Sequence, residues 1–409
     1  MAGKNSARPM TPYVIAILLT LLLGIQPVTT DAYLPALPSI QEGFAASITQ
    51  VQFTFTGLLL AFGISQLAWG SLSDRWGRKP VLLWGMGLYT LASVGTVLSP
   101  DMNWLIAWRV LQGAAMGAAV MCARAIVRDL YQPLEGARMM SRGLSGLGII
   151  AVMCAPLGSL MTELIGWRAA LSIPALFGAG TLVLLALRFE ETLASPNLHA
   201  LQPGKQLRSW AQIVRHPTFV AYSILSTASY LALFTFLATS PFLLLRVMGV
   251  SGAGYGLIMA TLSMVYIVGT FMCRRLLSRW GVRRTVAMAG GITATAGLLV
   301  VALAFLGWGK PWYGAWALVL PQALFLLAHG VHQPCAQSGA VGPFPQMAGA
   351  ASALNGFFMM LMTFPMGLWM GSAMDGTSRP MALGMAFWCT IIALTAWTLV
   401  QKHGEPARH

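Results

Sequence analysis

The stretch Gly70-Ser71-Leu72-Ser73-Asp74-Arg75-Trp76-Gly77-Arg78-Lys79 is a short charged hinge between two long apolar runs, 52–69 and 80–98. A loop this basic between two membrane spans is expected on the cytoplasmic side. Gly70 and Gly77 let backbones approach closely and turn sharply. Asp74 lies among Arg75, Arg78 and Lys79, a charge cluster able to pair in one conformation and release in another. The plainer alternative is a tight loop that only sets topology.

The chain around this hinge has 409 residues, 57% hydrophobic and only 9% charged. A soluble domain carries about a quarter charged residues, so a hydrophilic shell is excluded and a polytopic protein of the lipid bilayer is implied. The net charge of +14 does not point to nucleic acid, because the basic residues sit in short clusters between apolar runs, which is topology signalling. Membrane helices accommodate the 43 Gly and 22 Pro when neighbours satisfy the backbone. Cys122, Cys154, Cys273, Cys335 and Cys389 fall in or near apolar runs with no CxxC pair. They read as small buried hydrophobes, with no metal site expected. Lys4 and Arg8 precede an apolar run that outlasts a signal peptide and lacks a small-x-small cleavage site, so it is read as an uncleaved first span.

A hydrocarbon core about 30 Å thick needs about 20 helical residues. Twelve runs qualify: 12–33, 52–71, 81–98, 105–126, 143–164, 170–187, 219–245, 255–276, 286–306, 315–336, 350–373 and 382–399. With the N-terminus inside, twenty of the 25 Lys and Arg fall in cytoplasmic segments. Arg168, Arg246, Lys310 and Arg379 fall outside, and Arg109 is left within a span. The bias predicts cytoplasmic N- and C-termini and an even span count. The longest polar stretch, 190–216, reads as a cytoplasmic linker with a short interfacial helix near 207–214, between six-helix halves 1–189 and 217–409. Leu72, Arg75, Trp76 and Gly77 recur 204 positions on as Leu276, Arg279, Trp280 and Gly281, with Ser278 replacing Asp74. Such parallel repeats mark two transporter halves related by an axis along the membrane normal. The expected fold class is therefore an all-α polytopic membrane protein of 12 transmembrane helices in two pseudo-symmetric halves.

Of eleven carboxylates, Asp31 is the one set in the last part of a span. An acid at depth costs about 2.5–3.5 kcal/mol on insertion scales, which makes Asp31 a candidate proton carrier. Pro27, one turn earlier, frees the carbonyl of Leu23 and could open the helix there. The alternative is an outer-surface acid capping the loop before Pro35 and Pro38. Arg109 shares a helix face with Gln112 and Met116, so it either lines a wet cavity with a partner or snorkels to the outer interface. Gly113 and Gly117 form a ridge for close packing. Pro156 and Gly158 in the glycine-rich fifth span read as a kinked interface or as a pliable closing element. His329 and His332 fall on one face of the tenth span, as satisfied polar contacts or as a cavity or proton relay; no spacing completes a zinc pattern. Tyr33, Tyr230, Phe234, Tyr255, Met259, His332 and Phe358 are compatible with an apolar, accommodating cavity. No nucleotide or hydrolase motif occurs in the chain, so an ion gradient is the expected energy source and no cofactor is expected.

The hinge fills the pattern G-x-L-x-D-R-x-G-R-K and resembles the loop between helices 2 and 3 of major facilitator superfamily transporters. In that family the loop helps lock one alternating-access conformation, which would make Gly70 and Asp74 its most sensitive positions. The run Thr30-Asp31-Ala32-Tyr33-Leu34-Pro35-Ala36-Leu37-Pro38 resembles the first-span signature of the Bcr/CflA branch of twelve-helix drug:proton antiporters. That branch is associated with bicyclomycin and chloramphenicol resistance. Arg109-Val110-Leu111-Gln112-Gly113 resembles the fourth-span motif, and Val127–Tyr131 and Phe344–Gly349 are also similar to this branch. The fifth-span antiporter motif G-P-x-x-G-G departs here to Ala155-Pro156-Leu157-Gly158-Ser159-Leu160.

The resemblance implies a proton-driven exporter of small apolar or amphipathic drug-like compounds in the bacterial inner membrane. Asp31 would be the site where proton and substrate compete, Arg109 its coupling partner, and a monomer suffices. A native-metabolite exporter (amino acid, short peptide or nucleoside) and a proton-coupled nutrient symporter are the rival expectations. An enzyme or receptor is disfavoured by the lack of a catalytic cluster or soluble signalling domain.

Overall fold

A computed structural model describes residues 10–195 and 203–404 of the chain. Lys4, Arg8, Pro196, Asn197, Glu405 and Arg408 lie outside the described residues. Where a bilayer offers no water to peptide groups, apolar runs close their hydrogen bonds internally as helices. The first half contains α1 (Pro12–Thr30), the short α2 (Leu37–Gly43), α3 (Ile48–Trp76), α4 (Arg78–Val97), α5 (Met102–Leu130), α6 (Pro133–Leu164) and α7 (Trp167–Arg188). After the connecting α8 (Pro203–Arg215) come α9 (Pro217–Ser240), α10 (Gly252–Gly307), α11 (Trp316–Val341), α12 (Ala348–Ala373), α13 (Arg379–Trp397) and α14 (Leu399–His403).

Local chemistry sets the boundaries. Ser47 and Gln50 form a capping box at the start of α3, and the Asp101 carboxylate accepts the Asn103 and Trp104 N–H groups at the start of α5. Each satisfies end donors that a helix cannot bond internally. α1 stops at Thr30, before the expected 33, because Pro35 and Pro38 reset the chain into a 3-10 turn (Leu34–Ala36) and α2. The hinge proves to be one residue. α3 runs on through Trp76 and α4 begins at Arg78, with Gly77 between them at φ 99, ψ 162. Its counterpart Gly281 breaks the 56-residue α10 at φ 69, ψ 178. That backbone region belongs essentially to glycine, so the repeat seen in sequence is a repeat of backbone geometry.

Ten helices among the described residues are long and apolar enough to cross a membrane. Gly281 divides one of them, α10, into two arms of spanning length. α11 is 26 residues long but diluted by Gln322, His329, His332, Gln333 and two prolines, which brings the spanning set to the expected twelve. Trp84, Leu176 and Leu298 are more than 70% exposed, as an outer face bathed in hydrocarbon requires. The polar stretch does hold a helix, α8, longer than 207–214 and tied to α3 where Gln206 Nε2 donates to Ser71 Oγ at 2.6 Å.

In the first half α3 packs on α5, α4 on α5 and α7, and α1 on α6; in the second, α10 packs on α11 and α13, and α9 on α11, α12 and α13. The halves meet along two seams, α3 against α12 and α6 against α10. Small residues make the first seam close: Gly63 faces Met360, Gly356 faces Gln66, Gly367 faces Thr56 and Gly371 faces Thr49. On the second seam Gly256 lies against the backbone of Pro156, and Gly252 against Glu163.

Candidate functional site

Asp31 is the C-cap of α1, its N–H donating to Pro27 O at 2.8 Å. The bond shows that Pro27 does not unwind the helix at the acid. The carboxylate is half-buried, and its Oδ1 accepts a hydrogen bond from Thr30 Oγ1 at 2.7 Å. The neighbouring Ala32 is fully buried, its carbonyl against Gly158 of α6. From the second half, Tyr230 and Tyr255 lie near enough to Asp31 to feel its charge. Among the described residues Asp31 forms no ion pair. It is thus an acid placed between the halves with neutral partners.

Arg109 is fully buried, which rules out the snorkelling alternative. Its Nη1 donates to Gln112 Oε1 at 2.8 Å and to Thr29 O at 3.2 Å, and its Nε to Thr54 O at 3.4 Å. The guanidinium carbon sits 3.9 Å over the Tyr33 ring. Tyr33 and Thr54 share a hydroxyl hydrogen bond, Gln112 donates to Ser93 Oγ, and Thr29 meets Tyr89 OH. Four helices therefore hold one cation with neutral oxygens and a ring face, and Arg109 Nη2 is left without a partner. Only Thr30 lies between Thr29, whose carbonyl Arg109 binds, and Asp31. Arg109 is thus tied to the same end of α1 that carries Asp31, without pairing with it.

Among the described residues, the hinge carries the densest ionic cluster. Arg78 is buried; its Nη1 donates to Asp74 Oδ1 at 2.6 Å and to Ser73 Oγ at 2.8 Å, and its Nε to Asp129 Oδ2 at 2.8 Å. Arg128 adds a longer pair with Asp74 at 3.6 Å. Glu191, from the segment after α7, accepts the backbone N–H groups of Arg78 and Lys79 at 2.9 and 3.0 Å and so caps α4 from outside. Arg75 lies half-buried in the last turn of α3. The close approach expected at both glycines occurs at Gly77, whose added Cβ would lie 2.5 Å from Glu191 Oε2. At Gly70 an added Cβ would meet Met121 at an ordinary 3.5 Å, so that position is not sterically demanding here.

The other candidates are distributed unevenly. Gly113 packs on the backbone of Leu58, as a close-packing ridge requires. Phe234 stacks on Phe55 across the seam, centroids 5.5 Å apart. Tyr255 reaches Ser240 at 3.3 Å, Met259 is buried, and Phe358 is half-buried beside Phe357. The two histidines, one turn apart on α11, find hydrogen-bond partners on different helices. His329 Nδ1 meets Ser229 of α9 at 2.7 Å, whereas His332 Nε2 meets Thr293 of α10 at 3.1 Å. His332 is therefore enclosed within the second half and does not line the gap between halves.

Sequence reasoning passed over several residues that the fold brings into play. Asp129 and Glu191 find partners 51 and 113 positions away along the chain, beyond any local signal. The halves are tied at the hinge end where Arg124 Nη1 donates to Ser352 Oγ at 2.5 Å. At the far end Arg246 pairs with Glu42 at 2.6 Å, and Glu163 accepts the Ala253 N–H at 3.2 Å.

The family model described as the Major Facilitator Superfamily matches residues 19–367. Multidrug resistance protein D of Escherichia coli is 29% identical over 354 residues, 84% of each chain. A chloramphenicol resistance protein of Pseudomonas aeruginosa is 28% identical over 79% of this chain and 75% of its own. Multidrug resistance protein MdtL of Shigella flexneri is 28% identical over 95% of this chain and 96% of its own. A D-xylose-proton symporter superposes with TM-score 0.72 over 95% of this chain and 98% of its own at 15% identity, a likeness of fold alone. With the repeated hinge, the paired seams and a family match over most of its length, this chain belongs to the Major Facilitator Superfamily.

Proposed function

We propose that the protein exports small, drug-like compounds across the bacterial inner membrane in exchange for protons, as a monomeric carrier and not an enzyme. Its termini would face the cytoplasm, and residues 190–216 would link halves 1–189 and 217–409. The relatives named for multidrug and chloramphenicol resistance support the cargo. The observation that carries the mechanism is Asp31, an acid with neutral partners lying between the halves. A proton entering from outside neutralises Asp31 and favours release of the compound. Loss of that proton to the cytoplasm recharges the site and lets the next compound bind. Arg109, held by neutral groups, senses which form Asp31 has taken. The hinge of Gly70, Asp74, Arg75, Gly77, Arg78 and Lys79 steadies one conformation through the ion pairs of Arg78 with Asp74 and Asp129.

The test uses everted vesicles with an acid interior and a quenched pH dye. Chloramphenicol should dequench the dye in wild-type vesicles, and Asp31→Asn should reduce that response at least tenfold at equal protein content. Full dequenching by Asp31→Asn would remove Asp31 from the coupling mechanism. Quenching enhanced by substrate would indicate co-transport and favour the symporter.

A further inference from the structure

The second half holds a polar cluster that proton exchange does not use. On α12, Asn355 and Met359 are buried and adjacent to the seam, between Ser352, which binds Arg124, and Met360, which faces Gly63. Three donors converge on the Met359 sulfur: Ser226 Oγ at 3.0 Å, Gln333 Nε2 at 3.9 Å and Asn355 Nδ2 at 4.0 Å. A thioether is a weak acceptor, and the two amide contacts are long. Asn355 Nδ2 also reaches Ser226 Oγ at 3.3 Å. The amide oxygens are held by serines, Asn355 Oδ1 by Ser223 at 2.8 Å and Gln333 Oε1 by Ser226 at 3.3 Å. Gln333 Nε2 is left with only its long contact to the thioether of a flexible side chain that can move aside. A further buried amide lies on the same helix. Gln322 lies on the same face of α11, eleven residues or about 16 Å from Gln333, fully buried with neither amide atom partnered. The cluster is built from neutral donors, so it favours an uncharged acceptor over an ion.

We propose that Gln333 and Asn355 form a recognition subsite for an uncharged oxygen acceptor, a carbonyl or hydroxyl of the exported compound, with the Met359 thioether standing where that oxygen binds. The inference rests on the exporter reading. It adds a division of labour: proton chemistry in the first half and selection of neutral polar groups in the second.

Equilibrium binding to the purified full-length protein tests it, with two probes: chloramphenicol, which offers carbonyl and hydroxyl oxygens, and tetraphenylphosphonium, which has no oxygen. Gln333→Leu and Asn355→Leu should each weaken chloramphenicol about tenfold, the loss of one buried hydrogen bond, and leave tetraphenylphosphonium within about twofold. Met359→Leu keeps the volume and removes the competing acceptor, so it should tighten chloramphenicol about threefold. Equal losses for both probes, no loss for either, or weaker chloramphenicol binding by Met359→Leu would overturn the subsite while leaving the exporter reading intact. So would wild-type binding of tetraphenylphosphonium alone. Wild-type protein that binds neither probe would defeat the exporter reading and this subsite with it.

Discussion

Two charged residues carry opposite burdens. Arg109 is fully buried among neutral groups, and its planar fork reaches Thr29, Thr54 and Gln112 at once. A lysine keeps the charge but cannot span those oxygens. Arg109→Lys is therefore expected to reduce proton-driven export at least tenfold while the protein still inserts, checked by vesicle transport against membrane protein content. Arg78 is instead buried between two carboxylates. Removing one partner of such a cluster costs about 3–5 kcal/mol, whereas an exposed pair such as Arg246–Glu42 contributes about 0–1 kcal/mol. Arg78→Ala should lower the melting temperature of the purified protein well below that of Glu42→Gln, and equal shifts would contradict this ranking. Arg78 and Asp74 were legible from the hinge pattern. Asp129 and Glu191 became partners only through the fold, since sequence spacing says nothing about contacts 51 or 113 positions apart.

At the scale of elements, glycine positions separate turn geometry from packing. Gly77 and Gly281 share the positive-φ break, but only Gly77 is crowded, by Glu191. Gly77→Ala should therefore impair folding or export more than Gly281→Ala, as measured by melting temperature and vesicle transport. Equal effects would mean that φ alone matters. The seams were only partly readable. Small residues in α5 and α6 announced close packing, and Gly113 and Gly158 do press on backbone, at Leu58 and Ala32. The α3–α12 seam was not foreseen, because it joins helices from different halves and its register depends on how the halves dock. Gly367 faces Thr56 there. Gly367→Val should hold this seam apart and raise the labelling rate of a cysteine placed at Thr56, with unchanged labelling as the contrary result.

For the whole molecule, twelve spans, two halves and the repeated hinge were all visible in hydrophobic length and in a 204-residue offset. Physical necessity made them so: lipid demands long apolar helices, and a glycine-only turn leaves a glycine behind. The centre was less legible. Residues read as cavity lining, such as Tyr33 and His332, are enclosed within their own halves by Arg109 and Thr293, and helix periodicity does not reveal which neighbour a face meets. The halves are tied at both ends, by Arg124–Ser352 near the hinge and by Arg246–Glu42 and Glu163–Ala253 at the other. An alternating cycle must break one set while keeping the other, and Asp31 lies between the halves where its charge can weigh on that choice. The most direct measurement is proton release on substrate binding: chloramphenicol added to unbuffered purified protein while pH is recorded. The account predicts a release of protons by the wild type that is absent in Asp31→Asn. Release undiminished in that variant, or none from a wild type shown to bind the compound, would contradict competition between proton and substrate at Asp31.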